Sequence, residues 1–150
     1  MNTATPGTAP RLTRQQAATA LVDGVGEDLA AANAILALLE RQFQAALRHR
    51  GAQLAELAEE LTPALDAMDA RRRQRVALVR ALHGTDATMS SFIAVQPEPG
   101  RAALAAQWGE LERLVVACKA ATTRNGNLLA EQFTTMQRVL HGGDGTYAPR

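Results

Sequence analysis

Apolar residues at alternating spacings of three and four are the feature that most constrains this chain. The first such repeat runs from Val22 to Ala46, about three and a half heptads. On an α-helix this spacing places the apolar side chains along one seam. The pattern predicts a long helix from about Thr13 to about Arg50, with Gly51 as its stop. Its predicted seam is Val22, Val25, Leu29, Ala32, Leu36, Leu39, Phe43 and Ala46.

The alternation returns after Gly51 and predicts a second helix that ends at His83 and Gly84. Pro63 lies inside this helix and is expected to kink or divide it, because proline lacks a backbone donor and clashes with the preceding turn. The predicted seam is Leu54, Leu57, Leu61, Leu65, Met68, Val76, Val79 and Leu82.

A third long helix is predicted from about Arg101 to about His141, after a break at Pro97 and Pro99. Its seam is Leu104, Trp108, Leu111, Val115, Cys118, Thr122, Asn125, Leu129, Gln132, Met136 and Val139. Between the second and third helices, Thr85 to Val95 predicts a short helix that begins at a capping Thr-Asp pair and covers one end of a bundle. The apolar side chains of that short helix are Met89, Phe92 and Ile93.

These elements predict an all-α fold, an elongated antiparallel bundle of three long helices with a short helix between the second and third. A length of 150 residues fits one domain, so residues 1–150 are expected to form a single domain with flexible tails at 1–12 and 142–150. Aromatic residues make up only 3% of the chain, which disfavours a β-sheet core.

Charge and cysteine content limit the classes of partner. Sixteen basic and fifteen acidic side chains give a net charge of +1, too small a surplus to favour nucleic acid. No apolar stretch is long enough to span a membrane, and the N-terminus lacks the apolar core of a secretory signal. The single cysteine, Cys118, cannot form an internal disulfide and is expected to be a small buried hydrophobe. A cytoplasmic protein is the simplest expectation.

No catalytic or metal-binding pattern is apparent. His49, His83 and His141 lie near predicted helix ends, and none is spaced to place two ligands on one helical face. The chain is therefore expected to be no enzyme and to need no cofactor. The cluster Arg71-Arg72-Arg73-Gln74-Arg75 is interpreted as a solvated stretch, with docking of an acidic partner surface as the alternative.

The second half of the third helix differs from its first half. Thr122, Asn125 and Gln132 stand where a closed core would have aliphatic side chains, so polar partners are expected for them. The apolar face is widened by Leu128, Phe133 and Leu140, which indicates a surface that pairs with another helix. The alternative for Asn125 is a polar layer that fixes the register of the bundle, or a homodimer seam.

Several segments resemble the FlgN-type flagellar export chaperones. The most specific is Asn125-Gly126-Asn127-Leu128-Leu129, which is similar to the Asn-Gly-x-Leu-Leu/Ile signature of that family's last helix. The likeness extends from Val22 to Tyr147. Two residues depart from the family pattern: Leu61 stands where many members have a lysine after the acidic pair, and Pro63 lies just beyond it. It also includes Leu38-Leu39-Glu40 with Leu47, Leu54-x-x-Leu57-Ala58-Glu59-Glu60, the segment from Lys119 to Leu129, and the Gly-Thr-Tyr tail.

The resemblance implies a cytosolic chaperone without catalytic activity. It would hold the C-terminal segments of hook-filament junction proteins before their export by the flagellar type III apparatus. Tyr147 matches the family's tail tyrosine, which contacts the cytoplasmic domain of the export gate. In the family the last helix binds the cargo, so the resemblance implies that the following residues bind it here: Asn125, Gly126, Leu128, Leu129, Gln132, Phe133 and Met136.

Two other functions remain compatible with the same pattern. The seam of the last helix could serve self-association of a structural coiled-coil protein, for instance as a homodimer. It could also belong to a regulatory module that sequesters a signalling helix. Both alternatives keep the predicted fold.

Overall fold

A computed structural model describes residues 12–142 of the chain. Within that range it contains four α-helices and no strand, so the predicted all-α bundle with three long helices is confirmed. A π-helical turn, Arg138–Gly142, follows the last helix. The helices are α1 (Arg14–Leu47), α2 (Gly51–His83), α3 (Met89–Ala94) and α4 (Gly100–Gln137).

Local hydrogen bonds fix both ends of α1. At its start, the Thr13 hydroxyl accepts from the Gln16 amide and the Gln16 side chain accepts from the Thr13 amide, a capping box. At its end, His49 has a φ of 55°, and the amides of His49 and Arg50 donate to the carbonyls of Ala46 and Ala45. This is a Schellman motif with histidine in the left-handed position. The prediction that Gly51 stops α1 is wrong, because Gly51 begins α2.

Pro63 does not divide α2, which is a single helix from Gly51 to His83. The side chain of Pro63 is exposed. Beside it, the Thr62 hydroxyl donates to the Ala58 carbonyl oxygen at 3.0 Å. The second helix is therefore not divided at Pro63, and α2 runs beside α1 along the bundle.

The central helix is α1, which packs against α2 on one side and α4 on the other. It therefore buries one row of side chains against each neighbour. Its buried residues cover a wider face of the helix than the predicted seam. Val25, Ala32, Leu39 and Ala46 are buried as predicted, whereas Val22 is 39% exposed. The additional buried side chains, which the single-seam pattern missed, are Ala17, Leu21, Asp28, Ile35 and Ala45.

The short helix α3 covers one end of the bundle, as predicted, but begins later than expected. Its N-cap is Thr88, which forms a capping box with Ser91. Phe92 is 1% exposed and lies in the largest apolar cluster described in residues 12–142. That cluster joins all four helices through Leu21, Val25, Val79, Met89, Phe92, Ile93 and Leu104.

A buried ion pair links the three long helices in the middle of this packing. Asp28 of α1 is only 2% exposed, and its carboxylate accepts from Arg71, at 2.6 Å, and from Arg75. The Arg75 guanidinium also lies 5.1 Å from the ring centroid of Trp108 on α4. The interpretation of the arginine cluster as a solvated stretch is therefore wrong for Arg71 and Arg75. It holds for Arg72 and Arg73, whose side chains are exposed.

Candidate functional site

Three side chains of α4 donate to main-chain carbonyls of α1 at a constant separation of 86 positions. Cys118 Sγ donates to the Ala32 oxygen at 3.6 Å and Asn125 Nδ2 donates to the Leu39 oxygen at 2.7 Å. Gln132 Nε2 donates to the Ala46 oxygen at 2.8 Å. The donors are seven residues apart, so α4 runs parallel to α1 in a heptad register fixed by side chains.

Asn125 has the most complete set of these contacts. It is 1% exposed, and its Nδ2 also donates to Gln42 Oε1 at 2.8 Å. Its Oδ1 accepts from Arg124 Nε at 3.2 Å. Asn125 thus forms a polar layer that fixes the register of the bundle, which was the alternative to direct cargo contact.

Arg124 completes the layer on the surface. Its guanidinium pairs with Glu40 at 3.0 Å and lies 3.9 Å from the centroid of the Phe43 ring. The expected polar partners of Asn125 and Gln132 are therefore groups of α1. Thr122 is different, because it is exposed and its hydroxyl donates to the Cys118 carbonyl of its own helix.

Cys118 is half-buried rather than fully buried. Burial raises the pKa of its thiol above the ordinary value, which keeps the sulfur protonated and able to donate to Ala32. Cys118 is thus a packing residue of the α1–α4 contact.

The other residues implied as cargo-binding are all less buried than Asn125. Leu128, Leu129 and Gln132 are half-buried, and Gly126 is exposed. Phe133 and Met136 are 65% and 61% exposed. The implied set therefore divides into the buried Asn125, the half-buried Leu128, Leu129 and Gln132, and the exposed Gly126, Phe133 and Met136.

Just beyond Gln132, α1, the helix that packs beside α4, comes to its end. At the offset of 86, the last residue of α1, Leu47, stands level with Phe133. The final turn of α4 and the π-helical turn therefore extend past the end of α1. Val139 and Leu140 in that turn are 71% and 58% exposed. We call the four large exposed apolar side chains from the end of α1 onward the distal stripe: Phe133, Met136, Val139 and Leu140.

The sequence placed Val139 and Leu140 on the apolar face of the helix but not among the cargo-binding residues. Their spacing from Phe133 and Met136 was the available signal, because three- and four-residue steps bring all four side chains to one side. Tyr147, implied as the docking residue for the export gate, lies outside the described residues, as do nearly all of the two predicted flexible tails.

No metal-binding cluster accompanies this surface within the described part of the chain. No group of three or more His, Cys, Asp or Glu side chains there is placed to hold a metal ion. In residues 12–142 no helix combines the length and apolarity needed to cross a bilayer. The arrangement defines a class of helical bundle that exposes large apolar side chains at the end of its last helix.

Comparison with known proteins identifies the family. The model of the family described as FlgN protein matches residues 17–142, which is most of the chain. The chain therefore belongs to the FlgN family, a family of flagellar export chaperones rather than enzymes. No curated protein and no solved structure matches it.

Proposed function

We propose that this chaperone binds the apolar C-terminal helical segments of hook-filament junction proteins through the distal stripe, and delivers them to the flagellar export gate. The observation that carries the proposal is that four large apolar side chains are exposed where α4 and the π-helical turn reach and pass the end of α1. A contiguous exposed apolar surface is typical of a protein-binding site. An amphipathic cargo helix would bury it by helix-to-helix packing.

The half-buried Leu128 and Leu129 extend this surface toward the bundle, next to the exposed Gly126. Asn125 and Gln132 act differently in the proposal, because α1 already accepts hydrogen bonds from their amides. They hold α4 in place, and the exposed apolar side chains beyond them contact the cargo.

The test is calorimetric titration of the chain with a C-terminal peptide of a hook-filament junction protein. Phe133→Asp is expected to abolish measurable binding, because it places a charge among the apolar side chains of the distal stripe. Val95→Asp is the matched control, since Val95 is 64% exposed and lies after α3 at the other end of the bundle. Helix content by circular dichroism is expected to stay unchanged in both variants.

Equal affinity of the two variants would move the cargo site away from the distal stripe. A stable homodimer of the free chain that dissociates in Phe133→Asp, without peptide binding by the parent, would favour self-association instead. Sedimentation of the free chain distinguishes these outcomes.

Delivery to the export gate is assigned to Tyr147 on the family resemblance. Tyrosine is one of the residue types most often found as an anchor in protein interfaces. Tyr147→Ala is expected to leave cargo affinity intact and to weaken binding of the gate's cytoplasmic domain. Gate binding that is equal in the parent and the variant would reject this role.

A further inference from the structure

The charges of α2 are divided between its two parts. Residues 51–70 contain five carboxylates and no basic side chain, whereas residues 71–80 contain five arginines and no carboxylate. The helix therefore has an acidic first part and a basic second part of equal and opposite charge.

One face of α2 carries both signs at steps of seven residues. Seven residues make close to two helical turns, so side chains at this spacing lie along one stripe of the helix. All four members of the stripe are exposed. The side chains that α2 buries against the rest of the bundle are others, namely Leu57, Leu61 and Val79. We call the four exposed residues the charged stripe: Glu59, Asp66, Arg73 and Arg80.

The charged stripe is not neutralised by the rest of the described chain. Three of its members form no ion pair within residues 12–142. The fourth, Arg73, pairs with Asp69, but the same carboxylate also binds Arg72. Because one carboxylate serves two guanidinium groups, one positive charge remains uncompensated there. The stripe thus presents two negative positions followed by two positive ones.

This order of charges is complementary to itself when one helix is reversed. Glu59 and Asp66 lie as far before the midpoint of the stripe as Arg80 and Arg73 lie after it. In an antiparallel pair of α2 helices related by a two-fold axis, Glu59 therefore stands opposite Arg80 of the second copy, and Asp66 opposite its Arg73. A parallel pair would set like charges opposite each other along the whole stripe.

We propose that two copies of this chain associate through an antiparallel contact of their α2 helices, in which the two charged stripes pair. The positions between the charges are exposed and small, namely Thr62, Ala70 and Ala77, so the helix axes can approach closely. From Glu59 to Arg80 the contact covers 21 positions, about 32 Å at 1.5 Å per residue. Exposed ion pairs are individually weak and are screened by salt, so the dimer is expected to be reversible and salt-sensitive.

The antiparallel contact leaves the distal stripe uncovered. The distal stripe lies at the end of the bundle where α1 ends and α2 begins. In an antiparallel pair these ends point in opposite directions, so the dimer presents one distal stripe at each end. The inference goes beyond the proposed function and does not depend on it.

Sedimentation equilibrium of the full chain tests the dimer. The parent is expected to show a reversible monomer–dimer equilibrium in about 50 mM NaCl, with a dissociation constant at least about tenfold higher in about 500 mM NaCl. Asp66→Arg and Arg73→Asp are each expected to abolish the dimer, because each sets like charges opposite each other. Glu112→Arg is the control, since it makes the same charge change as Asp66→Arg at an exposed position on α4.

An equimolar mixture of Asp66→Arg and Arg73→Asp is the deciding measurement. In the heterodimer each introduced charge faces an opposite charge of the other chain, so mixing is expected to restore the dimer that neither variant forms alone. Helix content by circular dichroism is expected to match that of the parent, because both positions are exposed. If either variant loses helix content, Glu59→Arg mixed with Arg80→Glu makes the same test at the outer pair.

The outcomes distinguish this contact from other modes of association. A parent chain that stays monomeric at low salt would overturn the proposal. So would a dimer that persists in Asp66→Arg and dissociates in Phe133→Asp, because self-association would then belong to the distal stripe. Failure of the mixed variants to recover the dimer would mean that the charged stripe meets a different surface, and would reject the antiparallel pairing.

Discussion

The two ends of α4 carry the same apolar spacing in different surroundings. Near its start, Leu104 is 4% exposed and packs with Leu21, Val25 and the lid helix α3. Near its end, Phe133, level with the last residue of α1, and Met136, beyond it, are both more than 60% exposed. Periodicity thus defines an apolar face, and the length of the neighbouring helices decides whether that face becomes core or binding surface.

The largest expected difference between the two ends concerns phenylalanine. Phe92→Ala at the closed end is expected to lower the free energy of unfolding by about 3–5 kcal/mol, because the side chain is fully buried. Phe133→Ala at the open end is expected to change it by less than about 0.5 kcal/mol. Urea denaturation followed by circular dichroism measures both. A similar loss in the two variants would mean that the distal stripe is covered in solution.

A second contrast compares two aspartates that each bind two arginines. Asp28→Ala is expected to cost about 3 kcal/mol, because it leaves Arg71 and Arg75 without their partner inside the bundle. Asp69→Ala removes an exposed pair and is expected to cost less than about 1 kcal/mol. The same denaturation experiment applies, and equal costs would show that burial does not separate the two sites.

The polar layer of the α1–α4 contact gives the third contrast. Asn125→Ala is expected to cost about 1–3 kcal/mol, since it leaves the Leu39 carbonyl and the Gln42 side chain without their donor. Asn127→Ala, two residues away at an exposed position, is expected to be nearly neutral. If Asn125→Ala abolished cargo binding while stability stayed unchanged, Asn125 would be a cargo contact after all.

The smallest effect is expected at the turn between α1 and α2. His49→Gly should raise the free energy of unfolding by about 1 kcal/mol, because glycine adopts the positive φ of this position without steric cost. His49→Ala is the control and is expected to give no such gain. A thermal melt of the three proteins checks the order, and destabilisation by glycine would show that the imidazole itself supports the turn.

Much of the fold follows from the spacing of apolar residues alone. The three long helices and the lid formed by Met89, Phe92 and Ile93 were predicted and confirmed. The errors have specific physical causes. Gly51 was chosen as the stop of α1 on glycine preference, whereas His49 tolerates the left-handed conformation. Pro63 was expected to kink or divide α2, and the helix is not divided there.

The candidate site was predictable only in part. The Asn-Gly signature and the broad apolar face directed attention to the correct half of α4, and the family assignment agrees with that resemblance. The sequence could not show that the Asn125 amide faces α1. Nor could it show that Val139 and Leu140 lie beyond the end of α1, because both facts depend on the register between helices far apart in sequence.

The sequence by itself determined the helices, their apolar faces and the family of this protein, because those properties follow from local spacing and short motifs. Only the tertiary structure decided which charges are buried and which apolar residues stay exposed. Asp28 and Arg75 meet across 47 positions, and α4 extends past α1 because of a register set by three side chains. Contacts and registers of this kind depend on how whole helices pack against one another, and no local sequence pattern specifies that packing.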